Sequence, residues 1–120
     1  MNQRDRQRLE HILRHCRDVS DFIDRFGADY NVFIQDRAYY NAVAMCVMQV
    51  GELANGLSEE FREATKDQMP WGMIRGMRNW LAHSYTEIDD KVLWETAKKR
   101  FTQSVCLLRK AVKPLINCFT

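Results

Sequence analysis

Turn-forming residues are scarce in this 120-residue chain, with five glycines and two prolines. That is too few for the many tight reversals of a β-sandwich or barrel. Long uninterrupted helices are the alternative, and the length allows one domain over residues 1–120. No Cys-x-x-Cys pair occurs. Cys16, Cys46, Cys106 and Cys118 stand far apart among apolar neighbours, as reduced core thiols do, which points to the cytoplasm. No apolar run approaches the roughly 20 residues of a membrane helix, and the longest, 42–50, is interrupted by Gln49. The charged N-terminus lacks the apolar core of a secretory signal. Nor is there a large excess of either charge. Eighteen basic residues against 16 acidic leave +2, too balanced for a non-specific nucleic-acid coat, so any RNA contact is expected to be local.

What is present is helical patterning. Leu9, Ile12, Leu13, Cys16, Val19, Ile23 and Phe26 recur at threes and fours, a single stripe on a helix that Gly27 is placed to stop. Residues 28–36 read as a connector in which Asp29, Asn31 and Asp36 are candidate caps. A second helix follows to about Leu57 with the stripe Tyr39, Val43, Cys46, Val50, Leu53 and Leu57. Ala42, Ala44, Met45, Val47 and Met48 make its middle apolar nearly all round, so it needs cover on several sides, from its own bundle or from a second subunit.

Ser58, Glu59 and Glu60 mark the start of a short helix that ends before Pro70. Pro70 suits the first turn of the next helix, where Trp71, Ile74, Met77, Trp80 and Leu81 keep helical spacing. Gly72 and Gly76 weaken that helix by about 1 kcal/mol each relative to Ala, a cost that tight helix packing explains, or close approach of a partner. Asp89 and Asp90 cap a last helix with the stripe Leu93, Ala97, Phe101, Val105, Leu108, Val112 and Leu115, frayed or kinked near its end by Pro114. The expected architecture is an all-α up-and-down bundle of four longer helices and one short one.

One polar cluster stands out: Arg78, Asn79, His83 and Tyr85 lie within eight residues around a helix end. Asn79 and His83 share a face, whereas Arg78 and His83 are about 140° apart on an ideal helix. A long guanidinium, or an early end to the helix, lets both groups meet one anion. The pair suits phosphodiester chemistry, since Arg binds phosphate oxygens through two N–H groups and His moves protons near neutral pH. No His-Glu-x-x-His, no clustered carboxylates of two-metal type and no glycine-rich phosphate loop offers a rival route. Without a metal, RNA is the expected substrate rather than DNA, because its 2′-hydroxyl is an internal nucleophile. In-line cleavage needs both a base and an acid, and a two-fold dimer provides the second imidazole. The plainer alternative is that Arg78 and His83 merely serve a helix end.

Arg78, His83 and Tyr85 spell Arg-x4-His-x-Tyr, which resembles the signature of the HepT family, HEPN-type ribonuclease toxins of bacterial and archaeal toxin–antitoxin pairs. Val50-Gly51-Glu52-Leu53-Ala54 resembles that family's Gly-Glu signature on helix two. Pro70-Trp71, Ile74-Arg75-Gly76-Met77-Arg78-Asn79, Ile88-Asp89 and Val92-Leu93-Trp94 resemble the stretches around its motif, so the likeness spans 38–94. The resemblance implies a HEPN-type helical homodimer whose paired motifs cleave RNA with Arg78 and His83 as catalytic residues and no metal or other cofactor. It also implies a partner, a minimal nucleotidyltransferase antitoxin that attaches AMP to Tyr85. Bulk and negative charge added there block an RNA groove, as in a type VII-like system.

Asn79 is a supporting residue that orients His83 or contacts phosphate, unless it makes an ordinary helix-end hydrogen bond. Glu52 is either a supporting site residue or a carboxylate paired with Arg75 or Arg78. His11 and His15 stand four apart, and two ligands make a poor metal site, so they are read as solvated boundary residues. Trp71, Trp80 and Trp94 are either core and interface anchors or base-stacking platforms. Two other functions fit the same helices: a non-catalytic partner of a nucleotidyltransferase, and a nucleotide-binding helical domain. No membrane or DNA partner is expected.

Overall fold

The computed structural model describes residues 2–83 and 89–102, at residue 83 for the backbone alone. Among them the chain is all-α: α1 Gln3–Phe26, α2 Tyr30–Gln35, α3 Arg37–Gly56, α4 Glu59–Ala64, α5 Trp71–His83 and α6 Asp90–Glu95, the last running into a π-helical turn, Thr96–Phe101. Cys106, Cys118, Pro114 and the stripe residues from Val105 onward lie outside the described residues. No described helix is long and apolar enough to cross a membrane.

The helix ends follow local chemistry. Asn2 accepts a hydrogen bond from the Asp5 amide (2.7 Å), so α1 begins ahead of the first stripe residue, Leu9. It stops at Gly27, whose φ of 110° suits a residue without a side chain. The expected connector 28–36 is itself mostly a helix. Asp29 caps α2 and Asp36 caps α3, so the predicted caps frame a six-residue turn of helix too short to show periodicity. Ser58 caps α4 by accepting from the Phe61 amide at 3.1 Å.

α3 is the axis of the molecule, packed chiefly against α1 on one side and α5 on the other. The α1 stripe through Val19 is buried, as are Tyr39, Val43, Val47, Val50 and Ala54 of α3 and Ile74, Met77 and Leu81 of α5. An aromatic cluster holds one end. Phe33 lies 5.0 Å from Trp94 and edge-on to Tyr39 at 5.2 Å, while Tyr39 stacks on Phe26 at 4.9 Å. The Tyr39 hydroxyl donates to the Gly27 carbonyl (3.0 Å), and burial pushes its pKa up to about 12. Cys16 and Cys46 are free and buried, as expected. Burial raises the first thiol to about 12 and the second to about 11.

At the other end Asp5, only 3% exposed, accepts from the Ser58 amide (2.9 Å) and hydroxyl (2.6 Å). A buried carboxylate is tolerated when hydrogen-bonded in this way, and it ties the start of α1 to the α3–α4 corner. Trp71 is anchored by donating its indole N–H to Thr65 (2.9 Å).

Candidate active site

The close approach of α3 to α5 is set by Gly51. A Cβ there would collide with Arg78 Cβ, lie 3.0 Å from Arg78 Cγ and 3.1 Å from the Ile74 carbonyl oxygen. Without a side chain at 51, the backbone of α3 sits directly against the base of the Arg78 side chain. The next residue, Glu52, then reaches the guanidinium: its Oε1 pairs with Arg78 Nε. From the same helix as Arg78, Asn79 Oδ1 accepts from Nη1 at 3.0 Å. Gly51, Glu52, Arg78 and Asn79 therefore form one unit.

Of the two partners open to Glu52, the structure selects Arg78. Arg75 instead donates from Nε to Asn55 (2.5 Å). The Arg78 and Glu52 side chains are 28% and 48% exposed, and an ion pair this wet adds at most about 1 kcal/mol. Its effect is to orient the fork, with Nε buried and the side chain partly exposed.

α5 stays helical through residue 83, so the chain does not break between positions 78 and 83. The His83 side chain and Tyr85 lie outside the described residues, as do Ser84 and Ile88. The structure thus brings together Arg78, Asn79 and Glu52 and leaves His83 placed by its backbone at the end of the same helix.

Exposed apolar side chains stand elsewhere on α3 and α5. Trp80 is 52% exposed, Met73 40% and Met45 53%. Of the readings open to Trp80, its exposure excludes the core anchor, because Met77 and Leu81 already fill the face toward α3. Trp71 and Trp94 are core residues. Gly72 and Gly76 correct another expectation: a Cβ at either meets nothing within 4 Å, so packing among the described residues does not require them. They lie on the outward face of α5 with Met73 and Trp80. Packing against a neighbouring helix requires Gly51, and a Cβ at Gly56 would also displace the Arg8 side chain.

A model of the family described as Ribonuclease HepT-like matches residues 12–110. The chain belongs to the HepT-like ribonuclease family. A relative from Caldanaerobacter subterraneus subsp. tengcongensis, named as a candidate RNase, is 32% identical over 91% of each chain. One from Methanocaldococcus jannaschii, named likewise, is 34% identical over 82% of this chain and 89% of its own. A Thermococcus cleftensis protein, named as a candidate ribonuclease HepT, is 26% identical over 72% of this chain and 80% of its own. No solved structure matches at a significant level. Within the family match lies the whole Gly51, Glu52, Arg78 and Asn79 unit, together with the Arg-x4-His-x-Tyr motif.

Sequence reasoning missed two things. Asp5 was hidden because its partner, Ser58, is 53 positions away. His15 is not a plain boundary residue: its Nδ1 is buried without a hydrogen-bond partner, although His11 is exposed as expected. A His-x-x-Asp spacing, His15 to Asp18, was the one available signal.

Proposed function

We propose that this chain is a metal-independent RNA endonuclease, the toxin of a type VII-like toxin–antitoxin pair acting in the cytoplasm as a homodimer. The observation that carries the reading is the oriented, partly exposed Arg78 fork, held by Glu52 and Asn79 on the helix that runs to His83. A guanidinium so held is ready to grip a phosphate through paired N–H groups and to stabilise the charge that builds on it.

Chemistry follows from RNA itself. The 2′-oxygen attacks the adjacent phosphorus, the bond to the 5′-oxygen breaks, and a 2′,3′-cyclic phosphate and a free 5′-hydroxyl result. One His83 imidazole takes the 2′-hydroxyl proton, and His83 of the second copy gives a proton to the departing oxygen. The exposed side chains of Met73 and Trp80, with Gly72 and Gly76 on the same outward face of α5, support a second copy docking on that face. Tyr85, two residues beyond the histidine, is the proposed acceptor of AMP from a minimal nucleotidyltransferase antitoxin. The added phosphate brings negative charge into the groove that must hold RNA.

The test is cleavage of an RNA pool by purified protein in excess chelator. Wild type is expected to cut and leave cyclic phosphate ends, while folded His83→Ala and Arg78→Ala are expected to lose at least about 100-fold in rate. Failure to cut any RNA, with tight binding to a nucleotidyltransferase retained, would establish the regulatory-subunit reading instead. Mononucleotide binding without turnover would establish the nucleotide-binding one. Intact mass after incubation with the antitoxin and ATP is expected to rise by whole AMP units in wild type and not in Tyr85→Phe.

A further inference from the structure

On the opposite side of α3 from the Arg78 unit, three side chains with metal-binding atoms converge. His15 and Asp18 sit three residues apart on α1, and Cys46 faces them from α3. One ligand atom from each lies within 4.8 Å of the other two. His15 Nδ1 is enclosed and makes no hydrogen bond, an unusual state for a buried polar atom that a ligand would relieve. Cys46 is a buried free thiol.

We propose that His15, Asp18 and Cys46 form a zinc-binding site that clasps α1 to α3, with water in the fourth position. The donor set is one sulfur, one nitrogen and one oxygen. Magnesium and calcium take oxygen donors, whereas a thiolate with an imidazole selects zinc among abundant divalent cations. Zinc bonds of about 2.0–2.3 Å in a tetrahedron place donor atoms roughly 3.3–3.8 Å apart. The observed separations, within 4.8 Å, exceed that by about 1.5 Å at most, a gap that side-chain rotations close. Charge also balances: the Asp18 carboxylate and a Cys46 thiolate offset the two positive charges of the ion. His11 and Arg14 act electrostatically on His15 and work against a cation, so the anionic pair is needed. On binding, the Cys46 S–H proton leaves to solvent as the S–Zn bond forms, with no change of oxidation state. The site is separate from Arg78 and does not rest on the proposed cleavage.

The experiment uses the full chain, reduced and stripped with chelator, titrated with zinc chloride in a calorimeter and with cobalt chloride in a spectrophotometer, alongside thermal melts. Expected are one zinc per chain, a thiolate-to-cobalt charge-transfer band, and a higher Tm with zinc. Cys46→Ser is expected to lose the band, and Cys46→Ser and His15→Ala to weaken zinc binding by more than about 100-fold, beyond what loss of an outer partner typically costs. Asp18→Asn, at a half-exposed position, guards against a misfolded core variant; it is expected to keep the band and bind more weakly. His11→Ala, and a chain with Cys106→Ser and Cys118→Ser together, are expected to bind as wild type. Absence of stoichiometric zinc overturns the proposal. So does binding that survives Cys46→Ser, is unaffected by Asp18→Asn, or vanishes in His11→Ala or in the Cys106→Ser and Cys118→Ser chain.

Discussion

The two sides of α3 are built on different principles. Toward α1 it meets Leu9, Ile12, Cys16 and Val19, all fully buried, with the Asp5–Ser58 clasp at one end. Toward α5 a glycine brings the backbones together, and a charged unit sits at the edge of the seam. The first side serves stability alone, and the second adds to a buried seam of Ile74, Met77 and Leu81 a charged unit that presents a guanidinium. Catalytic groups need a rigid support whose own cohesion does not depend on them, and a shared central helix provides it.

This division can be broken from either side. The largest stability loss is expected from Ile12→Ala, about 2–5 kcal/mol for a vacated core site, measured by urea unfolding. Next is Asp5→Ala, about 1.5–3 kcal/mol, the range for hydrogen bonds made by a charged group. Both variants are expected to keep wild-type RNA cleavage below their unfolding midpoints; lost activity in the folded state would mean that the two sides are not separable. Gly51→Ala is expected to cost about 1–3 kcal/mol through overpacking against Arg78 and Ile74, and to lower cleavage well beyond what its stability explains.

Tyr39→Phe removes one hydrogen bond, worth about 1 kcal/mol, and sharpens the pH behaviour. Because burial raises this phenol from 10.0 to about 12, its contribution is intact below pH 10 and fades as the pH climbs toward 12. Urea midpoints measured across that window are expected to fall less steeply in Tyr39→Phe than in wild type. Trp80→Ser is expected to change monomer stability by less than about 0.5 kcal/mol while weakening self-association, read by analytical ultracentrifugation.

Much of this arrangement was legible in the residues. The α1 and α3 stripes announced themselves because burial on one face imposes a three-and-four spacing over many turns. Asp29, Asp36 and Ser58 could be recognised as caps because capping is a local interaction. α2 escaped notice because six residues are too few for a period. Gly72 and Gly76 looked like packing glycines, but spacing cannot distinguish a face turned to a neighbour from one turned outward. Spacing alone likewise leaves Trp80 open between a core anchor, an interface anchor and a base-stacking platform. The Arg78 cluster was visible as a motif, whereas its dependence on Glu52 was not fixed by spacing: Arg75 was an equal partner until the crossing of α3 and α5 decided between them.

The Asp5–Ser58 contact spans 53 positions of chain. During synthesis, α1 therefore emerges from the ribosome well before the serine that secures its first turn exists. Its apolar stripe must wait, uncovered, until α3 follows. Early interception by a chaperone, or by a neighbouring nascent copy, would act on that exposed stripe before Ser58 arrives to donate to Asp5.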